Sequence, residues 1–249
     1  MLLPHRVLVG GHLIGSLRRW AADSSELLDD PGADAGDVVA SLRDIARINR
    51  AFGGAAAAAA RLDEFLGPAV DGRAVSLLDV GTGAADIPRA VAARAARRGI
   101  RLSLLGLERH KAAAREASRG GGVAALVGEG GRLPFADRSV DLVLCAKVLH
   151  HLPGEPGRRL LVELNRVARR AVVVADIRRS AVAAAGLWLA SFPMRFHPAT
   201  RRDGVISVLR GFSPDELRGI CAAAGFSAVV KRHPGWCLTA AWRPAGVPA

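Results

Sequence analysis

The sequence predicts an α/β protein with one seven-stranded sheet and helices on both faces. Two observations favour this fold. After residue 75, short apolar runs alternate with helical stretches, which is the order of a parallel sheet covered by crossover helices. The last two apolar runs are separated only by Lys231–Gly235, which is too short for a helical crossover, so we expect that pair to be antiparallel.

Each element is placed by its hydrophobic period and its flanking Gly or Pro residues. Strands are predicted at Val75–Val80, Leu102–Leu107, Val123–Val127, Val140–Cys145, Ala171–Ala175, Ala228–Val230 and Trp236–Trp242. Helices are predicted at Val38–Phe52, Ala55–Leu66, Ile87–Arg98, His110–Ser118, Gly157–Arg169 and Pro214–Ala224. Met1–Ile14 favours a short packed helix over a signal peptide, because it has no basic start and no clean cleavage site. The apolar, aromatic segment Ile177–Arg210 is expected to be either part of a substrate lid or a helical hairpin in the core.

The composition excludes several classes of protein. Half of the 249 residues are apolar and 23% are charged, which excludes a disordered chain, and three Cys residues are too few for a disulfide scaffold. No apolar run reaches the ~20 residues of a membrane span, so a cytoplasmic protein without stable membrane insertion is expected. The net charge of +12 favours a nucleic-acid or membrane-surface partner, or else reflects a compositional bias, because only three of the 35 basic residues are Lys.

The charge also divides the chain. Residues 1–70 contain seven Arg and nine acidic residues, so the positive charge lies in residues 71–249. We therefore expect an acidic N-terminal helical lid region over 1–70, which could dock on a basic catalytic domain over 71–249.

A glycine-rich turn follows the first strand and begins the first crossover helix. Gly81 and Gly83 would let the backbone turn sharply and a ligand approach closely. Asp79 precedes the turn, and Asp86 stands where a dinucleotide fingerprint has its third glycine. A structural tight turn is the alternative. Glu108 ends the second strand, where a carboxylate can accept hydrogen bonds from ribose hydroxyls.

The ordered motifs DVGTGAAD, LGLE and VGEGGRLPFADRSVDLVLCAKVLHHLP resemble those of class I methyltransferases that use S-adenosyl-L-methionine. The resemblance covers roughly residues 70 to 180. It implies a Rossmann-like seven-stranded sheet with a reversed final hairpin. It also implies that Glu108 holds the ribose, and that Glu129 replaces the usual Asp at the adenine. The predicted cofactor site comprises Asp79, Gly81, Thr82, Gly83, Asp86, Glu108, Arg109, Gly128, Glu129, Gly130 and Cys145.

The loop after the fourth strand faces the transferred methyl group in that family. His150 resembles the catalytic His of small-molecule O-methyltransferases, although His151 and Leu152 stand where an acid and a Trp usually follow. His150 and His151 are therefore the candidate bases, with capping or packing as the alternative. Asp176, at the end of the fifth strand, belongs either to the site or to a helix cap. His233 and the Cys residues lack metal-ligand spacing, so no metal is predicted.

The resemblance implies methyl transfer to a hydroxyl of a small aromatic or polyketide-derived molecule. The segment Leu42–Arg50 resembles a bacterial subgroup associated with polyketide and quinone-like pathways. C-methylation of a quinone-like ring is the alternative, followed by an RNA methyltransferase, a nicotinamide oxidoreductase or a non-catalytic binding module. We expect a phenolic or quinone-like acceptor, no nucleic acid and a possible homodimer.

Overall fold

A computed structural model of the protein describes residues 6–66 and 73–245, with the side chains of residues 6–14 excepted. The strands are β1 (Val75–Val80), β2 (Leu102–Glu108), β3 (Val123–Val127), β4 (Val140–Ala146), β5 (Ala168–Ile177), β6 (Val229–His233) and β7 (Cys237–Trp242). The helices are α1 (Arg6–Asp23), α2 (Ala35–Ala51), α3 (Gly54–Leu62), α4 (Asp86–Ala96), α5 (Lys111–Arg119), α6 (Glu155–Val167), α7 (Ala181–Ser191), α8 (Pro198–Arg210) and α9 (Pro214–Ala223). None of these helices is both long and apolar enough to cross a membrane.

The strands form one sheet in the order β3-β2-β1-β4-β5-β7-β6. β1 to β5 are parallel, whereas β7 is antiparallel to both β5 and β6. The predicted seven-stranded sheet with a reversed final hairpin is confirmed. Strand order reverses between β1 and β4, and ligands of open α/β sheets bind at the carboxyl ends of the strands at such a point.

Apolar side chains alternate between the two faces of the sheet. Leu77 and Leu142 lie in one buried cluster with α3, α4 and α5, whereas Leu78 and Val143 lie in the other with α6 and α9. Helices therefore cover both faces. Because Leu62 of α3 belongs to the first cluster, α3 is part of the sheet core. The predicted boundary at residue 70 between a lid region and a catalytic domain stays a prediction. Among the described N-terminal helices, α1 and α2 lie outside that core and are the candidates for a lid.

The helix predicted at Gly157–Arg169 ends earlier than expected. α6 stops at Val167, and β5 begins at Ala168 instead of Ala171. Arg169 and Arg170 lie 2.9 and 3.3 Å from the Asp141 carboxylate, and Asp141 also accepts hydrogen bonds from Ser76 on β1. These ionic contacts join β5 to β4 and so favour a strand from Ala168 onward. The hydrophobic period of the sequence carries no information about them.

The segment between β5 and α9 forms two helices, α7 and α8, that pack against each other and against α1. α1 is longer than predicted, and Met1–His5 of the predicted N-terminal helix lie outside the described residues. Arg210 of α8 fixes the chain that follows α1: it donates hydrogen bonds to the carbonyl oxygens of Ala21 and Ser24 and contacts the Glu26 carboxylate. The N-terminal helices are thereby attached to the α7–α8 pair.

The hairpin between β6 and β7 touches the end of α2. Gly235 has a φ of +72°, and a Cβ atom at this position would lie 1.7 Å from the carbonyl oxygen of Phe52. Gly99 has an almost identical φ of +71° but open space around its Cα. The two glycines therefore separate backbone strain from steric overlap.

We expect Gly99→Ala to lower the free energy of unfolding by about 1–2 kcal/mol, the cost of a left-handed conformation with a Cβ atom. Gly235→Ala should cost roughly 1–3 kcal/mol more, because the Phe52 carbonyl must move as well. Urea unfolding of both variants measures the difference. Equal losses would show that the contact between α2 and the β6–β7 hairpin does not constrain the fold.

Candidate active site

The carboxyl ends of β1, β4 and β5 open onto a cavity of about 440 Å³, which is within the size range of small-molecule sites. The glycine-rich turn after β1 forms its floor. Gly81 has a φ of +75°, and a Cβ atom there would lie 2.3 Å from Val148 Cγ2. Gly83 has a φ of +54°. The turn therefore requires glycine for its conformation and for the close approach of the β4 loop.

Three carboxylates surround this turn. Asp79 is 2% exposed, and its Oδ1 has no hydrogen-bond partner among the described residues. Burial raises the pKa of Asp79 to about 7, and the negative charges of Asp86 and Glu108 act in the same direction. Burial also raises the pKa of Asp86, although Asn49 Nδ2 donates to its carboxylate at 3.0 Å. The cavity is thus prepared for positive charge at this end.

Glu108 is held in place by the backbone. Its two carboxylate oxygens each accept a hydrogen bond of 3.0 Å, one from the Gly83 N–H and one from the His110 N–H. Each oxygen keeps a second lone pair that can accept from a hydroxyl. Beside it, Arg109 donates to the Leu28 carbonyl oxygen at 2.8 Å and so ties the N-terminal segment to the end of β2. Glu129 is exposed on the same wall.

Two His residues follow β4 in a short 3-10 turn, Leu149–His151. His150 Nδ1 lies 2.7 Å from Asp176 Oδ1, and both side chains are almost completely buried. Burial opposes ionisation of Asp176, but the charge and hydrogen bond of His150, helped by Lys147, hold the pKa of Asp176 below its usual value. An ionised Asp176 can only accept, so His150 Nδ1 carries the proton.

That arrangement leaves the lone pair on His150 Nε2. This atom is buried, has no hydrogen-bond partner among the described side chains, and belongs to a residue that lines the cavity. Asp176 therefore orients the imidazole through Nδ1 and leaves Nε2 as the ring nitrogen available to a ligand. The proposed cap is not its role, since Ser180 caps α7.

His151 is oriented by a different carboxylate. Its Nδ1 lies 3.0 Å from Asp29 Oδ1, and the two His rings are 4.1 Å apart. Burial opposes ionisation of Asp29, but the hydrogen bonds from His151 and from the Glu26 N–H keep its pKa below the usual value. His151 thus links the N-terminal segment to the β4 loop.

One candidate metal-ligand group occurs among the residues that the structure describes. Glu26, His150 and His151 place one ligand atom each within 4.8 Å of one another. Arg210 Nη1 already lies 3.2 Å from Glu26 Oε1, and the Ser207 hydroxyl donates to the other oxygen at 2.7 Å. The Arg210 guanidinium supplies the positive charge that a metal ion would bring to Glu26. That this site binds no metal therefore stays a prediction.

The rest of the cavity is mainly apolar and is formed by α2, α7, α8 and the start of β7. Its apolar lining includes Ile48, Phe52, Val182, Leu187, Val208 and Trp236. An acceptor site beside the glycine-rich turn would therefore favour a hydrophobic molecule.

All but one of the predicted site residues line this cavity. The exception is Cys145, whose side chain is fully buried in the apolar cluster under α6, and burial raises the pKa of its thiol well above the usual value. At that point of β4 the side chain points into the sheet core, and its assignment to the cofactor wall stays a prediction. Asn49, Lys147 and Glu26 line the cavity without having been predicted, because no local motif marks them.

The residues present fit S-adenosylmethionine. The unpaired Asp79 oxygen and the acidic surroundings suit a cationic amino acid, and the glycine turn leaves room for it to approach. The anchored Glu108 carboxylate at the end of β2 suits a ribose diol.

The comparisons with known proteins agree with this site. Residues 78–175 match the model of a methyltransferase domain family, whereas no curated protein matches the chain. A methyltransferase from Aquifex aeolicus that depends on S-adenosylmethionine is similar in structure, with a TM-score of 0.54, 19% identity, and coverage of 74% of this chain and 88% of its own.

Two further structures are similar. Magnesium protoporphyrin IX methyltransferase from Synechocystis, with bound S-adenosylhomocysteine, has a TM-score of 0.53 at 16% identity and covers 80% of this chain and 86% of its own. A pyocyanin biosynthetic protein has a TM-score of 0.51 at 19% identity, and the match covers 76% of this chain and 54% of that protein. Residues 78–175 thus match a methyltransferase domain family, and the chain has the fold of methyltransferases that use S-adenosylmethionine.

Proposed function

We propose that the protein methylates a hydroxyl of a small aromatic or polyketide-derived molecule. The observation that carries this proposal is the buried His150–Asp176 pair: His150 lines a largely apolar cavity, and its Nε2 has no hydrogen-bond partner among the described residues. Two similar structures also have names that refer to small molecules, a magnesium protoporphyrin IX methyltransferase and a pyocyanin biosynthetic protein.

S-adenosylmethionine supplies a methyl group activated by its sulfonium. The chain holds and orients the acceptor, and His150 Nε2 takes the proton of its hydroxyl as the oxygen forms its bond to the methyl carbon. With S-adenosylmethionine bound, the products of this transfer would be a methyl ether and S-adenosylhomocysteine. Asp176 stabilises the imidazolium that results, because it stays ionised beside Nδ1.

On the cofactor side, we assign Asp79 and Asp86 to the amino group of the methionine portion, Glu108 to the ribose and Glu129 to the adenine end. Lys147 would hold the methionine carboxylate. Its backbone has a φ of +60°, its Cε lies 3.5 Å from the Cβ position of Gly54, and Asn49 on the same side contacts Asp86. Among the described residues, the Lys147 ammonium donates a hydrogen bond to Cys237 Sγ, at 3.9 Å.

Replacing the base should affect chemistry and leave cofactor binding intact. We expect His150→Gln and Asp176→Asn to lower kcat by roughly 10²–10⁴-fold on a phenolic acceptor, because the hydroxyl loses its proton acceptor. Affinity for S-adenosylhomocysteine, measured by calorimetry, should stay within about twofold. His233→Gln, on β6, is the matched control. If His150→Gln keeps full activity, the ring C-methylation alternative is favoured instead.

The raised pKa of Asp79 predicts a pH-dependent affinity. Asp79 is protonated below about pH 7 in the free protein, and a cationic amino group binds better to its ionised form, so binding releases a proton. Affinity for S-adenosylhomocysteine should therefore rise up to about tenfold per pH unit below pH 7 and level off above it. Asp79→Asn should flatten this profile, whereas Asp86→Asn should move it to lower pH without flattening it, because one of the charges that raise the pKa of Asp79 is removed. A flat wild-type profile would contradict the assignment.

The assignment of Lys147 is tested with two ligands that differ in the amino acid portion. Lys147→Gln should weaken S-adenosylhomocysteine by roughly 10–100-fold, because one charge-assisted hydrogen bond is lost. Binding of methylthioadenosine, which has no carboxylate, should be unchanged, and Lys111→Gln on α5 should change neither. Equal weakening of both ligands would mean that Lys147 acts on the structure of the site and does not contact the carboxylate.

A further inference from the structure

Helix α7 is apolar on every side but is only half covered. No charged residue occurs between Ala181 and Met194. Ala184 and Leu187 are buried against α8, whereas Val182 is 73% and Leu189 68% exposed. A surface helix of a protein surrounded by water normally has a polar outer face. The outer face of α7 is therefore built for contact with something apolar.

Aromatic residues extend this face beyond the helix. Trp188 and Phe192 pack edge to face with their ring centroids 5.3 Å apart, and 44% and 48% of their surface is exposed. The Arg201 guanidinium lies 4.1 Å from the Phe192 ring centroid. Ring systems beside cationic groups are typical of a membrane–water interface, where the apolar body is buried and the charge meets the headgroups. We refer to Val182, Trp188, Leu189 and Phe192 as the α7 face.

The charge around the α7 face favours a negative partner. Arg195 follows it directly and is exposed, and its side chain has no carboxylate partner among the described residues. Arg202 on α8 is also exposed, although its guanidinium lies 3.6 Å from the Asp203 carboxylate, and the whole chain has a net charge of +12. An anionic lipid surface satisfies both the apolar and the cationic groups, whereas a second copy of this basic chain satisfies only the apolar ones.

The α7 face is continuous with the acceptor cavity. Val182 and Gly186 line the cavity and are also exposed, so the cavity opens at α7. Leu187 lines the cavity from the inner side of the same helix. A molecule held in the apolar layer beneath α7 would reach the cavity without crossing water.

We propose that α7 docks in the plane of an anionic lipid bilayer, and that the methyl acceptor is an amphipathic phenol or quinol whose apolar tail lies along α7. The second part rests on the proposed function. α7 has 11 residues, too few to span a bilayer, so it lies at the interface. The hydroxyl-bearing ring then points inward to His150 and the tail points to the lipid.

Docking is measured by flotation of the full chain with phosphatidylglycerol vesicles and with neutral phosphatidylcholine vesicles. The wild-type protein should float with the anionic vesicles. Leu189→Gln should lower partitioning about tenfold, whereas Val162→Gln, at an exposed apolar site on α6, should not. Arg195→Gln should lower partitioning about fivefold on anionic vesicles only. Tryptophan fluorescence should shift to the blue on binding, and Trp188→Phe should reduce that shift.

Failure of wild-type flotation overturns the proposal. A concentration-dependent dimer that Leu189→Gln abolishes, without vesicle binding, also overturns it by identifying a second copy as the occupant.

The acceptor is tested separately, with a long-chain para-alkylphenol in vesicles against para-cresol in solution. The tail should lower KM at least tenfold for the wild type and much less for Leu189→Gln. If para-cresol is methylated and the tail has no effect, the inference fails and the proposed function stands. If neither phenol is methylated although the protein floats, the proposed function is contradicted. The proposal of an amphipathic phenol as the methyl acceptor is then contradicted as well.

Discussion

The site depends on one buried hydrogen bond, between His150 after β4 and Asp176 at the end of β5. Both side chains are removed from water, and a carboxylate in that position is stable only if its charge is paired. The pair therefore fixes the loop after β4 against its neighbouring strand, sets the tautomer of His150, and leaves Nε2 without a partner. The parallel register of β4 and β5 is what brings the two residues to the same edge of the sheet.

The N-terminal helices are attached to this edge by charge. Asp29 binds His151, Arg210 contacts Glu26, and Asp44 on α2 accepts a hydrogen bond of 2.7 Å from the His197 N–H. The acidic side chains of the first 70 residues thus contact the basic remainder at particular donors and not through a diffuse field. The same contacts fix one wall of the cavity. The N-terminal helices and the candidate active site are therefore joined by one network of ionic contacts.

The sequence predicts the sheet well because its evidence is local. Alternating apolar runs, glycine turns and the short gap before β7 are each contained in a few residues, and the fold needs no other information. Asp79, Glu108 and His150 could be predicted because a ligand at the ends of parallel strands is contacted by residues next to those ends. Asn49 and Glu26 could not, since their position depends on how α2 and the segment before it pack. Lys147 directly follows β4 and could have been included on the same ground as His150. Strand alternation points the Cys145 side chain into the core, so its predicted place in the cofactor site has no support from the cavity lining.

At the cofactor end of the site, the buried Asp79 carboxylate lowers the stability of the free protein, and a bound cation can remove this unfavourable effect. Asp79 is buried, one of its oxygens has no partner among the described residues, and two further carboxylates lie beside it. The Asp79 carboxyl group therefore keeps its proton up to about pH 7 in the free protein. Between its ordinary pKa and 7, the folded protein binds more protons than the unfolded chain, so its stability falls as pH rises through that range. A bound cation pairs the carboxylate and reverses this effect. The acids that make the free fold less stable near neutral pH are thus the groups that give a cationic ligand its affinity, and the fold tolerates them because the apolar clusters on both faces of the sheet stabilise the strands that carry them.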